Sequence, residues 1–543
     1  MNVVPVGLVR NISCCLILSV CCCQMSQSSS EMNDLNPLTN LPTEILQVHI
    51  GRFCSGSDLN NLSQVSRRLY CLYNIESIWA EKITSERLEI TPQIQRIAEK
   101  FHTEYNGHED GENCLPTTSI LKLKYLVAKR IKNNISNNKF KSERLSFGSS
   151  GKICCNENFL VVFVQERILA WDITEDWSSV TQTRLERSLS LSSSSCQTDL
   201  ELALSGSTLL LCFSYSHNQE ADFQCVEARD LDNDFNLLWE KSGLLGCHIH
   251  TVKIISDHLY IFDFLADRIE VYGIREKSLT FKTFLGPMSE AAKIPCGDIS
   301  GSVDYLAVPG KSHLDNGPVV CTWHTQTGAV KVLRSDRPTC PYRFFRKTAV
   351  SAHNVLGLLD RLRLLCWDAR TGGTVFTVEL TSSGPRENMA HTWLTVNTHF
   401  VLTVHQDLSS VSVLSRHGRL LTTILPSLPL PHQDWLVKGV TLRGTVVFIR
   451  LGENTDIDPS QRASELEDWS VSEPRSVIVC CDLSRVLDSD WDPSQTTEAT
   501  VTTVRTEQHG FDSGSVMFAN DTKLFDLSSD PLVIHVFNYF NKQ

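Results

Sequence analysis

The sequence lacks the short motifs that mark many enzymes and metal proteins. It has no Walker loop, no G-x-S-x-G, no H-E-x-x-H and no EF-hand loop, so the phosphate, nucleophile and metal sites that these motifs build are not predicted. It also has no C-x-x-C and no histidine pair at zinc-finger spacing, which argues against structural zinc. We therefore expect no catalytic residue, no metal and no cofactor.

An excess of positive charge is missing as well. Lys and Arg number 50 against 62 Asp and Glu, for a net charge of -12. A duplex-DNA binder usually carries a basic excess, so nucleic acid is not an expected partner. The chain is long and rich in apolar residues, with 543 residues and 41% hydrophobic side chains. This length predicts several domains or one large repeat array.

The chain holds 20 cysteines, and five of them crowd its first 24 residues. The others are scattered, mostly within apolar runs such as the one that ends at Phe213. Buried thiols behave as small hydrophobic groups and are typical of a reducing compartment. This pattern predicts a cytoplasmic or nuclear protein, or one found in both.

The first 37 residues allow three interpretations. Arg10 precedes an apolar stretch from Ile12 to Cys23, which suits a signal peptide and is too short to span a membrane. The same cysteines could carry a palmitoyl anchor. The segment could also be a disordered or apolar, cysteine-rich extension, with synthesis starting at Met25 or Met32. No membrane partner is expected under the last interpretation, which we favour because the next module is typical of intracellular proteins.

Residues 38–85 predict three short amphipathic helices. Pro42 suits a first helical position, and an apolar stripe continues from Ile45 and Leu46 to Ile50. After a turn at Gly56-Ser57-Asp58, which we expect to contain the helix N-cap, apolar residues recur at spacings of three or four, and a third helix carries Trp79. So small a unit cannot bury all of these faces, so part of the surface should dock on a partner.

This segment resembles the F-box. The family pattern is matched by Leu41 to Leu46, then by Asp58 to Arg68 with the sequence DLNNLSQVSRR, then by Trp79. Cys54 to Ser57 departs from the family, which more often has Leu-Asp-Pro at that turn. The resemblance implies that a Skp-family adaptor binds an apolar set of residues: Leu41, Pro42, Ile45, Leu46, Ile50, Leu59, Leu62, Val65 and Trp79.

Residues 86–139 predict a helical linker. Ile94, Ile97, Ala98 and Phe101 form one apolar stripe, and a second stripe runs from Ile120 to Ile131. The second helix also carries the cations Lys122, Lys124, Lys129, Arg130 and Lys132. We interpret them as the solvated face of a connecting helix rather than as a site for nucleic acid or anionic lipid.

Residues 140–543 change to short strands separated by turns, with features that recur about every 45–65 residues. Such regular spacing predicts a β-propeller. The markers are third strands of the repeats: Arg167–Asp172, Phe223–Glu227, Arg268–Tyr272, Val319–Trp323, Arg363–Asp368, Ser410–Leu414, Ser476–Cys480 and Leu532–Val536.

These repeats resemble a degenerate form of the WD-repeat family. Trp171-Asp172 and Trp367-Asp368 keep the name dipeptide, but the Gly-His that the family carries upstream is absent. We predict eight blades, with seven as the alternative. The fourth strand of the last blade is expected from Ser142 to Phe147, which would close the ring. The fold class is therefore α plus all-β: a helical F-box and linker followed by a propeller.

An acidic residue and an arginine lie at the turn before three of these third strands: Glu166-Arg167, Asp267-Arg268 and Asp360-Arg361. In WD-like propellers such turns lie on a face that binds partners, where arginine forks could hold a carboxylate or phosphate. The alternative is an exposed pair that contributes little to stability. Arg167, Arg268 and Arg361 are the candidate substrate residues.

Together the two resemblances imply a substrate-recognition subunit of a Skp–cullin–F-box ubiquitin ligase. It would act by position rather than by chemistry, since holding a substrate near the conjugating enzyme raises the local concentration of its lysines. Two alternatives remain. One is a propeller scaffold without a ligase role, and the other is a secreted or tethered propeller, which requires the N-terminal apolar segment to be a real signal.

Overall fold

The structure is a computed structural model, and it describes a defined set of residues. They are 41–43, 45–51, 54–106, 118–137, 139–164, 167–173, 185–188, 197–217, 220–233, 235–242, 249–255, 258–263, 268–275, 278–286, 299–312, 317–335, 345–359, 363–380, 394–404, 410–425, 435–453, 475–487, 497–498, 504–507, 516–520, 522–529 and 532–540. The predicted 1–37 extension and Arg361 lie outside these residues. The chain divides into two compact units, residues 1–132 and residues 133–543.

The first unit is helical. Among the described residues, a π-helical segment spans Ile45–Ile50 and is followed by α1 Gly56–Ser63, α2 Arg67–Tyr73, α3 Glu76–Ser85, α4 Pro92–Asn106 and α5 Ile120–Ser136. The last turn of α5 belongs to the second unit. Among the helices that the structure describes, none is long and apolar enough to cross a membrane.

The second helix predicted for the F-box segment, whose apolar spacing runs from Leu59 to Leu72, is interrupted. Ser66 begins α2 as its N-cap, and its hydroxyl accepts a hydrogen bond from the Leu69 N–H at 3.2 Å. This bond satisfies one of the unpaired donors at the helix start, so a cap outcompetes the continuous apolar spacing. The N-cap of α1 is Ser55, one residue before the predicted turn, and it forms a capping box with Asp58.

The second unit is a ring of eight sheets, antiparallel except for the parallel pairing of β25 (Leu420–Leu425) with β29 (Thr497–Glu498) in the sixth. Its first four blades follow the chain in order. They are blade 1 (β2 Gly151–Cys155, β3 Phe159–Val164, β4 Arg167–Asp172, β5 Leu185–Ser188), blade 2 (β6 Gln197–Ser205, β7 Thr208–His217, β8 Glu220–Asp230, β9 Asn236–Ser242), blade 3 (β10 Ile249–Ile255, β11 His258–Asp263, β12 Arg268–Arg275, β13 Ser278–Leu285) and blade 4 (β14 Ser300–Gly301, β15 Tyr305–Lys311, β16 Pro318–His324, β17 Val330–Arg334).

The other four blades complete the ring. They are blade 5 (β18 Phe345–Ser351, β19 Asn354–Leu359, β20 Arg363–Asp368, β21 Thr374–Glu379), blade 6 (β22 Leu394–Val396, β23 Phe400–Val404, β24 Val411–Ser415, β25 Leu420–Leu425, β29 Thr497–Glu498), blade 7 (β26 Trp435–Arg443, β27 Val446–Glu453, β28 Arg475–Asp482, β30 Val504–Glu507) and blade 8 (β31 Val516–Ala519, β32 Lys523–Ser529, β33 Leu532–Asn538, β1 Lys141–Ser146). Blade 5 also follows the chain in order, but blades 6, 7 and 8 each include a strand that does not directly follow the others in the chain, namely β29, β30 and β1. A 3-10 turn, Ser484–Leu487, follows β28.

Blade 8 closes the ring as predicted. Strand β1 is its outer strand and pairs antiparallel with β33, with Lys141 opposite Asn538 and Ser146 opposite Val533. The first strand of the propeller thus completes the last sheet, which leaves no blade with a missing outer strand. Each of the eight predicted third strands is the third strand of a blade, so the eight-blade prediction is confirmed and the seven-blade alternative is wrong.

Glycines make the turns between third and fourth strands in blades 4, 5 and 6. Gly328, Gly372 and Gly418 have φ values of 69°, 79° and 78°, the left-handed region that side chains with a Cβ disfavour. At Gly418 a Cβ would also lie 2.5 Å from the Phe376 ring of the preceding blade. Glycine is therefore favoured at these turns for steric reasons.

Polar side chains also join blades 7, 8 and 1 in the interior. The Arg450 guanidinium donates to Asp526 Oδ1 at 2.6 Å, and their side chains are 3% and 0% exposed. The Lys523 ammonium, also buried, donates to the Ile173 carbonyl at 2.8 Å. Asp526 lies opposite His535 in the sheet. The pKa of His535 is lowered, mainly because burial disfavours the charged imidazolium.

Candidate functional site

The residues predicted to bind an adaptor fall into two groups in the helical unit. Leu46, Leu59 and Trp79 are buried in its core, at 1%, 0% and 0% exposure. Two hydrogen bonds lie in this core: Tyr73 Oη donates to the Leu46 carbonyl at 3.1 Å, and Trp79 Nε1 donates to the Tyr73 carbonyl at 2.6 Å. These side chains stabilise the fold rather than present a surface to solvent.

The second group is at the surface. Ile45 is 40% exposed and Val65 is 56% exposed, and Pro42 is exposed too. The Arg68 guanidinium donates to the Leu41 carbonyl at 2.9 Å, which ties the chain at Leu41 to the start of α2. We call the three exposed residues Pro42, Ile45 and Val65 the apolar patch. The other three predicted residues are half-buried: Leu41, Ile50 and Leu62.

A carboxylate that the sequence analysis missed joins the linker helix α5 to the start of α1. Glu86 accepts hydrogen bonds from the Gly56 N–H at 3.0 Å, from Tyr125 Oη at 2.9 Å and from Lys129 Nζ at 2.7 Å. Burial opposes ionisation, but the three donors together lower the pKa of Glu86. Gly56 is required here, because a Cβ would lie 2.3 Å from the Tyr125 ring.

Lys122 was predicted on a solvated face, and that prediction is wrong. Its side chain is buried at 4% exposure. Its ammonium donates to Ser63 Oγ at 2.9 Å and lies 5.1 Å from the centroid of the Tyr70 ring and 5.6 Å from that of Trp79. Cation–π attraction compensates part of the lost hydration, yet burial still lowers the pKa of Lys122 to about 8.

The lowered pKa of Lys122 predicts that the protein becomes more stable as the pH rises above neutral. The pKa of Lys122 is about 8 in the folded protein, against 10.5 for a lysine in water, so between these values the unfolded chain binds more protons and the free energy of unfolding rises with pH. We expect a gain of about 1 kcal/mol for the helical unit between pH 7 and pH 9. Urea unfolding of wild type and of Lys122→Met, followed by circular dichroism, measures it.

The Lys122→Met variant should lose this slope, whereas Lys124→Met on the same helix should keep it. Tyr73, whose pKa burial raises to about 12, reverses the trend only above about pH 10. Equal slopes in wild type and Lys122→Met would contradict the assignment.

The candidate arginines of the propeller begin third strands. Arg167 is exposed at the first residue of β4, and Arg268 is the first residue of β12. Because all third strands run in the same direction around the ring, both arginines lie at the same rim. The third candidate, Arg361, lies outside the described residues, as do Glu166, Asp267 and Asp360. Near it, Arg363 begins β20 and donates to Glu379 at 3.0 Å.

Arg268 has a more elaborate setting than the sequence indicated. Its guanidinium lies 3.4 Å from Glu270 Oε1 and 4.3 Å from the centroid of the Phe284 ring. The Glu270 side chain is buried and accepts a hydrogen bond from Tyr272 Oη at 2.8 Å. The arginine is therefore positioned by residues two apart on its own strand and by the neighbouring strand β13.

In the part of the chain that the structure describes, no group of three or more His, Cys, Asp or Glu residues could hold a metal ion. The interior cysteines are not poised for chemistry either. Burial raises the pKa of Cys321 and that of Cys366 to about 12, so neither is a thiolate near neutral pH.

Comparison with known proteins gives similarity of fold alone. No family model and no curated protein matches the chain. Among solved structures, BamB from Moraxella catarrhalis is 13% identical, with a TM-score of 0.42 over 74% of this chain and 99% of that one. The computationally designed Ika8 protein is 13% identical, with a TM-score of 0.42 over 72% and 97%. The C-terminal WD40 domain of Sif2 is 11% identical, with a TM-score of 0.45 over 73% and 98%.

Proposed function

We propose that this protein is a substrate-recognition subunit of a Skp–cullin–F-box ubiquitin ligase. The observation that supports it most is the apolar patch, since Ile45 and Val65 leave 40% and 56% of their surface in water on a unit whose sequence resembles the F-box. Water-exposed aliphatic side chains on a small helical unit suit docking on an apolar partner. The adaptor would cover the patch.

The buried members of the motif have a different role in this proposal. Leu46, Leu59 and Trp79 keep the helices in place, so replacing them would remove adaptor binding by unfolding the unit. Pro42, Ile45 and Val65 would contact the adaptor directly. This separation of roles makes the proposal testable with substitutions that leave the fold intact.

The propeller would hold the substrate, and its contribution to rate would be positional. A substrate bound to one module and a conjugating enzyme recruited through the other meet at a raised effective concentration. We propose a cytoplasmic or nuclear location, which the buried thiols of Cys321, Cys366, Cys480 and Cys481 support.

The test is a co-purification of the full-length chain with a recombinant Skp-family adaptor and a cullin. Val65→Asp should weaken adaptor binding by at least about 30-fold (about 2 kcal/mol, the size of a binding hot spot) because it places a charge in an apolar contact. Ile45→Asp should behave in the same way, and deletion of residues 38–85 should abolish binding.

The matched control is Val303→Asp, because Val303 is also a valine at 56% exposure but belongs to the propeller. It should bind the adaptor as wild type does. Unchanged adaptor recovery from the 38–85 deletion would overturn the F-box assignment. Adaptor binding without cullin would indicate a scaffold instead of a ligase subunit.

A further inference from the structure

A row of aromatic rings lies along the outer strands of blades 2 and 3. Trp239 on β9 packs on Tyr272 of β12 with ring centroids 5.1 Å apart, Tyr272 packs on Phe281 at 5.6 Å, and Phe281 packs on Phe284 at 4.7 Å. Tyr272 is buried, but Phe281 and Phe284 are each 49% exposed. The row therefore runs from the packed space between two blades out into solvent.

A bulge in β13 places Phe281 and Phe284 on one face of the sheet. Tyr272 lies opposite Phe281, Val271 lies opposite Thr283, and Lys282 between them is the extra residue. In a regular strand, residues three apart point to opposite faces, but one inserted residue brings Phe281 and Phe284 to the same face. That face also carries Glu270 and Tyr272, because Phe284 lies opposite Glu270.

A cation lies at one end of the row. The Arg268 guanidinium lies over the Phe284 ring at 4.3 Å, and 41% of its side chain is exposed. Glu270, at 6% side-chain exposure, accepts a hydrogen bond from Tyr272 Oη, so the guanidinium is the member of this ion pair that reaches solvent. We call Trp239, Arg268, Tyr272, Phe281 and Phe284 the blade 2–3 groove.

We propose that the blade 2–3 groove binds an extended acidic peptide segment of the substrate. An aromatic or aliphatic side chain of the segment would cover Phe281 and Phe284, and its carboxylate would accept hydrogen bonds from Arg268. Charge complementarity argues for this occupant, since a guanidinium held against an aromatic face recognises a carboxylate with directed donors. Naming the occupant as substrate rests on the proposed ligase function, whereas the groove itself does not.

The groove differs from the ring-face site that the sequence suggested. Only one of the three predicted arginines, Arg268, takes part. The aromatic partners come from the outer strands β9 and β13 of two neighbouring blades, so the peptide would lie along the side of the ring. Arg167 is not needed for this mode of binding.

The experiment selects peptides from a phage-displayed random library on the full-length protein, with counter-selection on the Phe281→Ser/Phe284→Ser variant. Selected peptides are synthesised, and their affinity is measured by fluorescence anisotropy. We expect sequences that combine an acidic residue with an aromatic or aliphatic residue. Affinity should fall at least tenfold in the double variant and in Arg268→Glu, and equally when the acidic residue of the peptide becomes lysine.

The matched control is Val330→Ser, because Val330 is 48% exposed on the outer strand of blade 4. It should bind every selected peptide as wild type does. A copy of each peptide with phosphoserine in place of the acidic residue tests whether a phosphate binds Arg268 as well as a carboxylate does. Thermal melts check that all variants are folded.

Several results would overturn the proposal. They are selection of basic peptides, equal affinity of wild type and the double variant, no effect of Arg268→Glu, or a wild-type dimer that the double variant dissociates. The last outcome would show that a second copy of the chain covers the groove. Val65→Asp should lose the adaptor but keep the peptides, so failure of the ligase assignment and failure of the groove are told apart.

Discussion

A chain that ends at Gly510 is expected to lose the cooperative unfolding transition of the propeller. The truncation removes β31, β32 and β33, which leaves β1 without its partner strand. It also removes apolar side chains that pack against blade 1, namely Phe525, Leu527, Leu532, Ile534 and Val536. Loss of one such side chain costs about 2–5 kcal/mol, and a domain has about 5–15 kcal/mol in total. The ring should therefore not fold.

Thermal melts followed by circular dichroism measure this effect. The control is a chain that ends at Phe540, which keeps all of blade 8 and should melt as wild type does. A truncated protein that retained β-sheet dichroism and a sharp transition within a few degrees of wild type would show that seven sheets are stable without closure.

Much of the propeller could be predicted from the sequence because its signals are local. A third strand such as Arg363–Asp368 combines a run of four apolar residues with a turn that contains glycine, and both features are visible within about ten residues. The closing strand was predictable for a different reason. Eight repeats with three strands in the last one left a single fourth strand to find, and residues 142–147 precede the first blade.

The details of the helical unit depend on contacts far apart in sequence, and there the predictions were weaker. Lys122 is buried because Tyr70 and Trp79 present ring faces to its ammonium, and helical periodicity carries no signal for that. The helix break at Ser66 was also missed, because the apolar spacing continues across it while the Ser66 hydroxyl caps a new helix.

The blade 2–3 groove was invisible in the sequence for a related reason. Its two phenylalanines share a face only because Lys282 is inserted in the pairing of β12 with β13, and strand register is a property of two segments together. Arg268 was found, since an arginine at a turn is a local feature. Its aromatic neighbour Phe284 was not.

Replacement of Asp526 by alanine is expected to destabilise the propeller more than any other single charge deletion proposed for it. Asp526 and Arg450 are 0% and 3% exposed and their bond is 2.6 Å long. Removal of the carboxylate leaves the guanidinium buried without its anionic partner, which costs about 3–5 kcal/mol. Urea unfolding at pH 7, followed by circular dichroism, measures the loss between blades 7 and 8.

The double variant Arg450→Met/Asp526→Leu separates the value of the pair from the cost of breaking it. Both charges of the pair are then gone, so neither is left buried without its counter-ion, and stability should return to within ~1 kcal/mol of wild type or exceed it. The control is Glu157→Ala, which breaks an ion pair with Arg443 of 2.9 Å whose side chains are 50% and 27% exposed. Exposed pairs contribute about 0–1 kcal/mol, so this variant should melt nearly as wild type does. If Asp526→Ala and Glu157→Ala lowered the free energy of unfolding equally, water or another side chain would have to reach Arg450 in the variant. That result would contradict a closely packed interior between blades 7 and 8.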